Sequence, residues 1–384
     1  MASVSNPHIA IVAGEASGDI LGAELIHALR ARLPAARFSG MAGPAMLAAG
    51  CHALANIDQL SVMGVVEVLR AYPRLRRLRA ELATALLGQR PDVFVGIDVP
   101  DFNLGLARRL KSAGVPTVHY VCPQVWAWRP GRARRLGAAV DRLLALLPFE
   151  PAFFAGHGVD CRFVGHPLAD ILPLDPDRAA ARAALGIAPG LPLVAVLPGS
   201  RGQEIDRLAP AFALGVAALQ RERGPLAVIA CAAHAGQVER LRRAISTAAP
   251  GLTVDYCHGQ ARQLLSAADV ALVASGTATL EALLCRAPMV VGYRLAPLSY
   301  HIIRRMISIP RIALPNILAA DSLVPELIQE ALTPRAICAA LAAWLDDAPR
   351  RERYVARARG LHETLRVGAA ARAAQAVLEM CRAP

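Results

Sequence analysis

His8-Ile9-Ala10-Ile11-Val12-Ala13-Gly14-Glu15-Ala16-Ser17-Gly18-Asp19 reads as an apolar run that stops at a glycine-bearing loop and then opens a helix near Ile20. An apolar run of this kind suits a strand buried on both faces, as parallel sheets require, and the amphipathic stretch Ile20 to Arg32 suits the helix that covers it. Together they make the first half of a βαβ unit. The loop is not the G-x-G-x-x-G of dinucleotide binders. It still sets backbone N–H groups and a helix N-terminus at the carboxyl edge of a sheet, where open α/β sheets take their ligands. A plain turn capped by Ser17 or Asp19 fits the same residues.

The same pattern recurs along the chain. Strand-like runs stand at Asp92 to Ile97, Thr117 to Cys122, Leu143 to Leu147, Leu193 to Leu197, Leu226 to Cys231, Val270 to Ala274 and Met289 to Tyr293. Between them lie arginine- and alanine-rich amphipathic stretches such as Leu104 to Ala113 and Ile205 to Arg223. A chain of 384 residues exceeds one compact core of usual size, so two domains with a cleft between them are expected. The seam falls in the proline-rich region Pro167 to Pro192. The expected fold is α/β, with two Rossmann-like doubly wound domains at 1–170 and 171–345. A helical tail at 346–384 is expected to pack back on the first domain.

Composition narrows the function classes. With 55% hydrophobic, 19% charged and 4% aromatic residues, the chain has the make-up of a well-buried enzyme and not of a disordered segment. The formal net charge is +12, but Lys111 is the sole lysine among the basic residues. An arginine- and alanine-rich chain of this kind reflects a GC-rich coding sequence, so the charge does not argue for nucleic acid, and none is expected as a partner. Eight cysteines are scattered without a C-x-x-C pair and read as buried cytosolic thiols, with neither zinc nor disulfides implied. No signal peptide is legible, and no apolar run reaches the roughly 18 residues of a membrane span, so a cytoplasmic location is expected.

Four loops at strand ends carry the chemistry. Besides the first, with Glu15 and Ser17, there is Gly96-Ile97-Asp98-Val99-Pro100-Asp101-Phe102-Asn103. Asp98 at the carboxyl end of a strand is placed to take the proton from an attacking hydroxyl; Asp101 is the rival, unless it caps the next helix. Leu197-Pro198-Gly199-Ser200-Arg201-Gly202-Gln203-Glu204 offers a guanidinium whose fork of donors fits the oxygens of a phosphate or a leaving diphosphate, or else a surface pair of Arg201 with Glu204. Ala274-Ser275-Gly276-Thr277-Ala278-Thr279-Leu280-Glu281 lets a diphosphate approach the backbone. There Glu281 serves either ribose hydroxyls or a capping box. Trp126 and Trp128 either line an acceptor site or close the lobe edge, and His119 and His166 read as satisfied structural histidines. Apolar Val65, Val66, Val68 and Leu69 run into Arg74, Arg76 and Arg77, the signature of a peripheral membrane contact or of an amphipathic helix packed on its own sheet.

Taken together, these strings, with Met63-Gly64, Gln124-Val125-Trp126-Ala127-Trp128 and Phe163-Val164-Gly165-His166-Pro167, resemble the lipid-A-disaccharide synthases over nearly the whole chain. The resemblance implies the GT-B architecture and an inverting transfer that needs no metal and no cofactor. It implies UDP-2,3-diacylglucosamine as donor and 2,3-diacylglucosamine 1-phosphate (lipid X) as acceptor, giving lipid A disaccharide 1-phosphate and UDP. It also implies Asp98 as catalytic base, and Arg201 and Glu281 as donor-site residues; Ser200, Ser275, Gly276 and Thr277 in the same loops are expected at the donor site with them. Asn316 in Leu314-Pro315-Asn316-Ile317-Leu318 comes from the resemblance alone, as a polar group near UDP. Peripheral work at the inner leaflet and a homodimer with exchanged C-terminal segments are implied as well.

Overall fold

The structure, a computed structural model, describes residues 6–60, 65–128, 130–296, 300, 306 and 309–381, with the backbone alone for 65–71. It divides into two compact units, residues 1–170 with 365–384, and residues 171–364.

The first unit holds β1 (His8–Ala13), β2 (Arg37–Ala42), β3 (His52–Asn56), β4 (Val93–Ile97), β5 (Thr117–Tyr120), β6 (Arg142–Ala145) and β7 (Cys161–Phe163). All pair in parallel in the order β3-β2-β1-β4-β5-β6-β7. The second holds β8 (Leu193–Leu197), β9 (Ala227–Ala232), β10 (Asp255–His258), β11 (Val270–Ala274), β12 (Met289–Tyr293) and β13 (Glu326–Ile328). These too are parallel, in the order β10-β9-β8-β11-β12-β13. In each sheet the strand order reverses once, between β1 and β4 and between β8 and β11. Those four strands are buried along their whole length, which is why each is a nearly unbroken apolar run.

Helices cover the faces and begin earlier than the sequence reading set them. They run Ala16–Arg30, Pro100–Ser112 and Gly202–Arg223. The first presents Leu25, Ile26 and Leu29 to the sheet with no exposed surface, each contributing roughly 1.5–3 kcal/mol of burial.

The tail expected at 346–384 is divided between the units. Helix Ala348–Leu365 stays with the second, because Tyr354 and Ala358 are buried there, Tyr354 meets Trp344 edge-on at 5.4 Å, and Arg359 pairs with Asp175. Only helix Ala369–Cys381 returns to the first unit. There Arg142 Nη1 donates to Ala376 O at 3.0 Å and meets Glu379 at 2.9 Å, while Asp170 accepts from the amides of Gly368 and Ala369 at 2.9 and 2.6 Å. None of the cysteines is in a disulfide, but Cys161, Cys257 and Cys381 are half-exposed, where all eight were read as buried. Among the described residues no helix is long and apolar enough to cross a membrane.

Candidate active site

In the first unit Ala13 of β1 and Ile97 of β4 are register partners, so the loops that follow them leave the sheet side by side where its strand order reverses. That is the position at which open α/β sheets bind ligands. The loops touch: a Cβ on Gly14 would lie 2.5 Å from Val99 Cγ2, so only glycine fits. Glu15 and Ser17 are exposed at the helix start. Glu15 is the extended N-cap residue and makes no side-chain cap bond.

Neither Ser17 nor Asp19 caps this helix. Asp19, 3% exposed, reaches to the neighbouring helix Pro44–Ala48 instead. Its carboxylate accepts from the amides of Gly43, Ala45 and Met46 at 2.8, 2.8 and 3.1 Å. Three N–H donors that α-helical bonding leaves unpaired are thereby satisfied.

Asp98 is half-buried at the end of β4, its amide donating to Tyr120 O at 2.9 Å. Burial raises its carboxyl above the ordinary aspartate range, and the Val99 amide partly opposes the shift. Asp98 and Val99 are both left-handed, with φ of 50° and 40°. A left-handed conformation costs an L-residue about 1–2 kcal/mol, and a β-branched side chain tolerates it poorly. Asp101, the alternative base or cap, is neither at the N-cap nor buried. It is an exposed residue in the first turn of Pro100–Ser112, whose N-cap is Val99, and its carbonyl oxygen accepts from Arg79 Nη1.

The two tryptophans separate. Trp126 is 7% exposed, donates from Nε1 to Glu150 Oε1 at 3.1 Å and packs edge-on against Phe149. Glu150 is buried with it, which lifts its carboxyl to about 7. Trp126 therefore closes the lobe, while Trp128 is 40% exposed beside the Arg132 guanidinium. Burial drives His119 and His166 down to about 4. His166 Nδ1 accepts from the Leu168 amide, but buried His119 Nε2 has no partner among the described residues, so His119 is not the satisfied histidine that was expected.

The second unit repeats the arrangement. Leu197 of β8 and Val273 of β11 are register partners, and their loops flank the point where this sheet reverses. After β8, Glu204 turns back to accept from the amides of Ser200 and Arg201 at 3.0 and 3.2 Å. It also meets Arg201 Nη1 at 3.2 Å. The Arg201 side chain is 81% exposed. An exposed pair of this kind contributes about 0–1 kcal/mol, so a phosphate can draw the guanidinium away at small cost.

After β11, Ser275 Oγ donates to Ile312 O at 3.2 Å, while Gly276 and Thr277 open the helix Thr277–Leu284 exposed. First-turn amides of such a helix favour an anion. Glu281 forms no capping box; it meets Arg262 Nε at 3.2 Å. Asn316 is 2% exposed and its amide is spent on protein. Nδ2 donates to Val324 O at 2.9 Å and to Glu326 Oε1 at 2.8 Å, and Oδ1 accepts from the Val324 amide at 2.8 Å. Glu326 in turn accepts from the amides of Ile312 and Ala313. Asn316 thus holds the segment against which Ser275 bonds.

Glu204 was weighed from the sequence as a partner of Arg201, and that pair is present; Arg262, Glu326 and Asn103 are the residues the sequence reading gave no role. Each acts through a partner distant in sequence or through a backbone turn, and no local motif marks it. Of the residues assigned to membrane contact, Arg74, Arg76 and Arg77 are exposed on helix Val65–Gln89, Arg74 donating to Gln59 O at 3.0 Å. The side chains of Val65, Val66, Val68 and Leu69 lie outside the described residues.

Two doubly wound parallel sheets, each with a pair of ligand-type loops at its reversal point, define a protein of the GT-B fold class. The UDP-GlcNAc 2-epimerase from Neisseria meningitidis, solved with UDP-GlcNAc bound, is similar in fold at a TM-score of 0.64 and 13% identity, over 97% of this chain and 98% of that one. The calicheamicin glycosyltransferase CalG4 is similar at 0.60 and 17%, over 99% and 100%. At such identities the likeness shows the fold alone. A family model described as lipid-A-disaccharide synthetase matches residues 9–380. The lipid-A-disaccharide synthase of Alkalilimnicola ehrlichii is 51% identical over 96% of this chain and 97% of its own length. The chain belongs to the lipid-A-disaccharide synthase family.

Proposed function

We propose that this enzyme transfers 2,3-diacylglucosamine from its UDP ester to lipid X, with Asp98 as the base and the loops after β8 and β11 as the donor site. Products are lipid A disaccharide 1-phosphate and UDP. The observation that carries the site reading is the placement of the candidate residues at the reversal points of their sheets: Asp98 after β4, and Ser200, Arg201, Ser275, Gly276, Thr277 and Glu281 after β8 and β11.

In this reading the first unit takes the acceptor, with Glu15, Ser17 and Trp128 about it. Asp98 removes the proton from the attacking hydroxyl as the bond from the anomeric carbon to UDP breaks. Arg201 and the first-turn amides of Thr277–Leu284 meet the charge that builds on the leaving diphosphate, and Glu281 accepts from the ribose. Asn316 contributes by holding the Ile312–Ala313 segment at Ser275, with Glu326 as its partner.

UDP alone should raise the melting temperature of the protein, because a ligand that binds only the folded state stabilises it by about 2.7 kcal/mol at a hundredfold excess over its Kd. Glu281→Ala should shrink that rise while leaving the ligand-free melting point within a degree or two. A full UDP shift in this variant would remove Glu281 from the donor site.

The acylated substrates give membrane contact a chemical reason, and exposed Arg76 and Arg77 supply charge for the anionic inner leaflet. Replacing both with glutamine should weaken sedimentation with anionic vesicles about 30-fold, from the roughly 1 kcal/mol that each cation near such a surface contributes, and leave neutral vesicles unaffected. Equal binding to anionic vesicles before and after the change would place the contact elsewhere.

A further inference from the structure

Asn103 has no exposed surface, and its side chain is turned toward the backbone at the strand ends. Its Nδ2 lies 3.3 Å from Val12 O, 3.1 Å from Ile97 O and 2.8 Å from Asp98 O. One side-chain amide therefore joins β1 to β4 at the reversal point and holds the carbonyl of Asp98 itself. An NH2 group has two hydrogens, so the three contacts are shared, with the shortest to Asp98.

The acceptor end of the same amide, Oδ1, is buried and has no partner among the described residues. A space-filling role does not call for an amide, and the donor end alone is used. Gly96 makes the approach possible, since a Cβ there would come within 2.9 Å of Asn103 Cβ. What the donor holds is the strained element of the site, the consecutive left-handed residues Asp98 and Val99. Strain of this type persists only where the surroundings impose it.

We propose that Asn103 is a positioning residue for the transfer: its side-chain amide clamps the left-handed turn Asp98–Val99 and so holds the Asp98 carboxyl in one direction at the reversal point of the first sheet. The proposal rests on the reading of Asp98 as the base. Asn103 itself need not touch either substrate.

The test is a pair of kinetic comparisons. Asn103→Ser, which is too short to reach the three carbonyls, should lower kcat about 10- to 100-fold, within the range a displaced base costs, and leave KM for both substrates within about twofold. The acidic limb of its kcat profile should move to lower pH, because a carboxyl released toward water loses the burial that raises it. The same substitution made in a Val99→Gly parent, where a left-handed φ carries no steric penalty, should lower kcat less than about threefold relative to that parent.

Equal losses in both backgrounds, or a raised KM at unchanged kcat, would overturn the clamp. If Asn103→Ser does not fold, the double variant with Val99→Gly decides: recovered folding and turnover support the clamp, and an equally unfolded double variant overturns it. An Asp98→Asn protein that keeps its turnover would remove the base reading and the clamp with it. An inactive Asp98→Asn beside a fully active Asn103→Ser would remove the clamp alone.

Discussion

Replacing Asp98 with asparagine should lower kcat by about 10²- to 10⁴-fold, the range a positioned base supplies, with little change in KM for the UDP-sugar. The fold should not suffer. Burial holds the Asp98 carboxyl above its unfolded-state pKa, so its ionised form costs stability that is lost as pH rises from the unfolded value through the folded one. Below that window the penalty is absent; above it the penalty is fully present, and asparagine removes it. The variant should therefore melt at or above the parent temperature at pH 7 while turning over far more slowly. The same raised pKa predicts that parental kcat falls off on the acid side at a pH above the ordinary aspartate value. A variant that loses activity and melts several degrees lower would make Asp98 a structural residue.

Arg201→Ala should cost about 10²- to 10³-fold in kcat/KM, the scale on which one electrostatic donor to a developing negative charge acts. Its side chain is 81% exposed and, among the described residues, pairs with Glu204 on its own helix, so the melting temperature should not move. Lysine at this position should recover part of the loss, because it restores the charge without the planar fork. The profile expected is therefore the reverse of a packing residue: large in rate, silent in stability. Full activity in Arg201→Ala would leave the diphosphate to the backbone amides of the two loops.

The central strands were legible because burial on both faces leaves only apolar residues. β1, β4, β8 and β11 are such runs, and the loops that follow them were found with them. β3, β7, β10 and β13 were not, since they stand at sheet edges, are partly exposed and carry residues such as His52, Arg162, Asp255 and Glu326. Interior β2 escaped for another reason: Arg37-Phe38-Ser39-Gly40-Met41-Ala42 is too polar and too small to read as a run, although His8 and Gln89 satisfy Ser39 inside.

Side-chain roles were less legible than positions. Asp19 stood in a candidate turn, but its carboxylate serves a helix whose amides begin at Gly43, a partner that local spacing cannot indicate. Asn316 was known only through family resemblance, and its engagement with Val324 and Glu326 explains why composition gave no sign of it. Asn103 was quoted within a motif and given no role, because a clamp on backbone carbonyls becomes visible only once Asp98 and Val99 are seen to be left-handed.

The most direct test of the account is UDP release by the purified protein from UDP-2,3-diacylglucosamine, with and without lipid X, in detergent micelles and excess EDTA. The account predicts release that depends on lipid X and yields disaccharide in equal amount. UDP binding without acceptor-dependent release would contradict it and leave only the GT-B fold.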